Sequence, residues 1–124
     1  MPRRAAKTSP LVDRVWRAAD SLNARDVVAL DLRGINDATD WFVVASGTSD
    51  AHVRGIANAV IRKLEEAGVH PHHVEGISGG RWVLLDFVDV VVHLFHPEAR
   101  GFYQLERLWN DAPRLYLDAE RKHS

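Results

Sequence analysis

Hydrophobic positions along this chain change their spacing several times, and each change marks an element. Leu11, Val15, Ala18, Ala19 and Leu22 recur at helical spacing behind Ser9-Pro10. Serine as cap and proline in the first turn predict a helix that starts there and closes near Asn23. Val27 to Leu32 (VVALDL) reads as a first strand, and Gly34-Ile35-Asn36-Asp37 as a turn. Asp40 to Ser46 (DWFVVAS) is almost continuously apolar, which predicts a central strand covered on both faces. Gly47-Thr48-Ser49 breaks it. From about Ser49 to Ala67 the stripe Val53, Ile56, Ala57, Val60, Ile61 and Leu64 predicts a second helix, with Gly68 as its stop. His70 to Glu75 suits a short strand, and Gly76 to Gly80 a glycine-rich turn. Arg81 to Phe87 and Val90 to Phe95 read as strands paired through a hairpin link. Pro97 opens a last helix through Trp109, and Asp111-Ala112-Pro113 ends it.

This order predicts a single α/β domain with a mixed sheet of about five strands and flanking helices. Residues 1–8 are expected to be a disordered basic tail, 9–113 the domain, and 114–124 a charged, loosely held tail. No internal repeat or linker interrupts the pattern.

Composition narrows the function classes. The 124 residues include 46% hydrophobic and 27% charged positions, enough for a core that needs neither metal nor disulfide. Cysteine is absent, which removes thiolate zinc sites and cysteine nucleophiles and fits a reducing, cytoplasmic setting. No apolar run is long enough to span a bilayer, because Asp89 and His93 break the longest stretches. A net charge of −1 does not suit a protein that binds mainly through phosphates, so contact with RNA is expected to be secondary.

Several constellations are candidates for chemistry. Gly47-Thr48-Ser49-Asp50 lies where a strand gives way to a helix and could cradle a phosphate. A helix cap by Thr48 or Ser49, with Asp50 favoured by the dipole, explains it better. Asp86 and Asp89 could hold a divalent cation, but strand alternation puts carboxylates three apart on different faces. His70, His72 and His73, with His93 and His96 elsewhere, read as solvated or core histidines rather than a zinc site. No catalytic triad can be named. The chain therefore predicts no cofactor, no metal and no small-molecule substrate.

Aromatic residues carry the stronger signal. Gly80 to Trp109 holds two apolar strands and an aromatic-rich helix, a mixture suited to holding a macromolecule. Trp82, Leu84 and Asp86 should share one strand face, and Val83, Leu85 and Phe87 the other. On the last helix, Phe102, Leu105 and Trp109 form one stripe, while Arg100, Tyr103 and Arg107 fall elsewhere. Trp82, Arg100 and Tyr103 belong to the residue types enriched as interface anchors.

The stretch from Val27 to Trp109 resembles the ribosomal silencing factor (RsfS, or Iojap-like) family. The resemblance rests on Val28-Ala29-Leu30-Asp31, on Thr39 through Val53 (TDWFVVASGTSDAHV), and on Glu75-Gly76. It continues through Trp82 to Phe95 (WVLLDFVDVVVHLF) and Arg100 to Trp109 (RGFYQLERLW). It implies a nucleotidyltransferase-like α/β fold without the catalytic residues. It also implies a homodimer that binds the large ribosomal subunit through ribosomal protein uL14. Bound there, it would block the small subunit and lower translation under nutrient limitation. By that likeness, Trp82, Leu84, Asp86, Arg100 and Tyr103 are the expected partner-binding residues. Two other readings stay open at this level. One is an active nucleotidyltransferase using Gly47, Thr48, Ser49, Asp86 and Asp89; the other is a dimeric adaptor for a different partner.

Overall fold

A computed structural model describes residues 9–99 and 112–116. The elements in chain order are α1 (Pro10–Ser21), β1 (Arg25–Asp31), β2 (Trp41–Ser46), α2 (Asp50–Glu65), β3 (His73–Glu75), β4 (Trp82–Asp86), β5 (Val90–Phe95) and β6 (Arg114–Tyr116). They build a mixed α/β domain with one open sheet of six strands, ordered β3-β4-β5-β2-β1-β6. β2 and β5 run parallel, and the other neighbours run antiparallel. The nearly continuous apolar run of β2 lies at the centre of this sheet, as its composition predicts.

Local chemistry sets the element ends. The Ser9 hydroxyl accepts from the Val12 N–H at 3.1 Å, and Ser49 does the same for the His52 N–H at 3.1 Å, so both helices start on serine caps. Asn23 at φ 60 and Gly68 at φ 78 turn the chain after each helix. The buried side of α1 is Val12, Val15, Ala18 and Ala19, so the expected Val15, Ala18 and Ala19 are buried, and Val12 rather than Leu11 begins the stripe. Leu22 is exposed because the helix has already ended. A bulge between Arg25 and Val28, with Asp26 at φ 53, brings β1 back into register.

The mixed sheet has six strands where the pattern predicts about five. The sixth comes from the supposed loose tail: Arg114–Tyr116 pairs antiparallel with β1, with Leu115 opposite Ala29. Leu115 packs against the main core, so its apolar side chain, short as the strand is, holds that segment to the sheet. The helix expected from Pro97 is entered at 97–99; the rest of it lies outside the described residues, as do 1–8.

The main core lies on one face of the sheet. Val43, Ala45, Val83, Leu85, Val92 and Leu94 meet Val12, Val15, Val53, Ile56, Val60 and Leu64 from the two helices. Alternation sends the intervening residues to the opposite face. There Val28, Leu30 and Leu32 gather with Ala112, and Val44 and Phe95 with Ala99. Among the described residues, no helix is long and apolar enough to cross a membrane.

Candidate functional site

Strand β4 reads half-buried, buried, half-buried, buried, half-buried from Trp82 to Asp86. Val83 and Leu85 enter the helix-covered core, and Trp82, Leu84 and Asp86 share the other face, as predicted. Register then assembles their surroundings. Trp82 lies opposite Phe95, Leu84 opposite His93 and Asp86 opposite Val91 on β5. Phe42 and Val44 of β2 lie opposite Val91 and His93. On the other side, β3 sets Glu75 beside Leu84 and His73 beside Asp86.

Trp82 is aimed by backbone and ring packing together. Gly76, at φ 78, comes so close to the Trp82 carbonyl that no Cβ fits between them. Gly80, at φ 74, would put a Cβ 2.6 Å from the Asp50 carbonyl oxygen. These two approaches fix the chain where β4 begins. The indole stacks on Phe95 with centroids 5.3 Å apart, and its Nε1–H donates to His93 Nδ1 at 3.2 Å. Phe42 closes on His93 from β2 at 4.8 Å.

His93 is only 5% exposed, and burial lowers its pKa to about 4. The ring is therefore neutral near pH 7. Because indole is a donor only, Nδ1 must present its lone pair, which leaves the proton on Nε2. That Nε2 is buried and has no hydrogen-bond partner among the described residues.

The result is a patch with an apolar, aromatic centre (Trp82, Leu84, Phe42, Val91). Its rim is polar, made by Asp86 and by the exposed pair His73 Nε2 and Glu75 Oε2, 2.7 Å apart. Half-open aromatics inside a polar rim describe a surface that another macromolecule can cover. Asp86 has a second task, since its Oδ1 accepts the Val88 N–H at 2.8 Å. It thereby steadies the hairpin tip, where Val88 is held at φ 75.

The other candidate motifs are occupied differently. Thr48 N–H donates to His52 Nδ1 at 2.8 Å, and the Ser49 hydroxyl caps α2, so the Gly-Thr-Ser turn is engaged as a cap. His52 Nε2 meets the Leu22 carbonyl at 2.6 Å and ties this turn to the end of α1. No group of three metal-ligating side chains occurs among the described residues. The structure thus brings together Trp82, Leu84 and Asp86; Arg100 and Tyr103 lie outside the described residues. Sequence reasoning missed Phe42, Val91 and His93 as members of this patch. The available signal was alternation: Val91, His93 and Phe95 share a face of β5, and Phe42 and Val44 a face of β2.

The family described as "Ribosomal silencing factor during starvation" matches residues 5–124. This span runs past both ends of the stretch whose residues carry the resemblance. The Bacillus subtilis protein named ribosomal silencing factor RsfS is 44% identical over 101 residues, covering 82% of this chain and 86% of that protein. A crystal structure of a Chromobacterium violaceum protein superposes with a TM-score of 0.79 at 36% identity, over 81% of this chain and 83% of that one. A second, from Bacillus halodurans, gives 0.76 at 38% identity over 85% and 95%.

Proposed function

The chain belongs to the ribosomal silencing factor family, and on that premise we propose that it represses translation by docking on the large ribosomal subunit. The docking partner is ribosomal protein uL14, on the face that meets the small subunit. Once there, the domain occupies space the small subunit needs, so joining is blocked sterically and translation falls under nutrient limitation.

The observation that carries this reading is the half-open face of β4. Trp82, Leu84 and Asp86 project together from a sheet whose opposite face is sealed by two helices. A rigid strand presenting an aromatic and an aliphatic side chain inside a polar rim is pre-organised for a protein surface. Arg100 and Tyr103 extend the proposed contact set. The net charge of −1 favours a protein partner, with ribosomal RNA touched secondarily if at all.

The mechanism requires no bond to be made or broken, so the proposal includes no catalysis and no cofactor. Thr48 and Ser49, the groups a nucleotidyltransferase reading would use, are spent on the α2 cap, which supports this. The protein is placed in the cytoplasm, where its target assembles, and is read as a homodimer in solution.

The test is direct. Purified large and small subunits are mixed with and without an excess of the protein, and joining is followed by light scattering or sedimentation. Joining is expected to slow as the protein saturates the large subunit. Equal rates with and without it would overturn the proposal.

A further inference from the structure

We propose that His93 is the positioning residue for docking: its Nδ1 holds the Trp82 indole by the N–H, so that the partner meets the ring's carbon surface rather than its hydrogen-bond donor. The inference rests on the reading of Trp82 as an anchor and says how that anchor is aimed.

Three observations lead to it. Indole has one donor, and His93 accepts it at 3.2 Å, so what the ring offers outward is apolar surface. Phe95 lies under the same ring at 5.3 Å, which leaves the side chain fixed from two directions. Finally, the imidazole sits within an apolar strand, VVVHLF, at 5% exposure, with its Nε2 buried and unmatched among the described residues. A residue kept only for packing would not leave a donor unmet there; an aliphatic or phenyl group would fill the space without it. The strand bears a neutral imidazole at the one point where a lone pair meets Trp82, and burial keeps that lone pair free. Loss of rotational freedom before binding is a general way to raise affinity.

The chemistry expected across the interface follows. The group that covers Trp82 is an aliphatic side chain, or a lysine or arginine lying over the ring. It is not a carbonyl or carboxylate seeking the indole N–H.

The test is a double-mutant cycle on the full chain, with binding to purified large ribosomal subunits measured by co-sedimentation. His93→Phe is expected to weaken binding about tenfold, while its unfolding midpoint stays equal to wild type or rises. His93→Asn, which keeps an acceptor where Nδ1 was, should recover part of that loss. In a Trp82→Ala background, His93→Phe should change nothing further. In the free protein, the Trp82 indole N–H resonance should shift and exchange faster with solvent in His93→Phe than in wild type.

Binding that weakens with Trp82→Ala but not with His93→Phe overturns this proposal and leaves the anchor reading standing. An equal loss from His93→Phe with or without Trp82 also overturns it, because it shows a structural role only. Wild-type binding by Trp82→Ala removes the anchor reading itself and this inference with it.

Discussion

Leu85 and Leu84 are neighbours on β4 and meet opposite surroundings. Leu85 is fully buried with Val83, Val92 and Leu94 beneath the two helices. Leu84 stands half-exposed between Trp82 and Asp86. The two tryptophans of the central strands repeat the contrast. Trp41 is 2% exposed, with the Arg33 guanidinium over its ring at 5.0 Å. Trp82 is only half-covered and is tethered to a buried histidine. On β4 the Leu85 face is closed by the two helices and contributes stability, while the Leu84 face stays part open beside a buried donor that has no partner among the described residues. Because alternation commits successive residues to opposite faces, one strand can do both jobs without compromise between them.

The sharpest way to break this contrast is on the closed face. Leu85→Ala should lower unfolding free energy by about 2–5 kcal/mol in urea titration, through lost burial plus the cavity left behind. Leu84→Ala should cost well under half of that. Equal losses would mean that the two faces are packed alike.

Acid should act through His93. Its folded pKa of about 4 lies below the ordinary value of 6.5, so the unfolded chain takes up a proton first. Stability from this group is therefore complete above pH 6.5 and is lost as the pH falls towards 4. Over that window wild type should lose on the order of 3 kcal/mol more than His93→Phe. Parallel pH profiles for the two proteins would show that the imidazole is not desolvated.

On the open face, Trp82→Ala should weaken association with large subunits by about 2 kcal/mol, roughly thirtyfold. Its effect on folding should be smaller than that of Leu85→Ala. If the order is reversed, Trp82 belongs to the core.

The smallest effect is expected at the hairpin tip between the faces. Val88 has φ 75 and is 52% exposed, a conformation that a β-branched side chain adopts only under strain. Val88→Gly should raise the unfolding free energy by about 1 kcal/mol. A drop instead would show that the valine side chain contributes a contact worth more than the strain.

Much of this was legible in the residues. Ser9-Pro10 and Ser49 announced two helix starts, since capping is a local hydrogen bond between groups three residues apart. The alternation of WVLLD placed Trp82, Leu84 and Asp86 on a common face, because a strand's period of two needs no tertiary information. The ordered motifs from Val27 to Trp109 pointed to the family. The Gly-Thr-Ser turn was correctly read as a cap.

Other features required the folded chain. Leu115 joins the sheet through β1, more than eighty residues earlier in sequence; nothing within a short, charged segment signals a pairing across that separation. The environment of His93 depends on three strands converging. Its value as an acceptor exists because β4 sets Trp82 opposite Phe95, next to it on β5, and its neutrality comes from burial in the folded chain. Local sequence determined which side chains look up and which look down, since backbone geometry settles that residue by residue. Tertiary structure decided which of the upward ones meet, since strand order and register are set by contacts between distant segments.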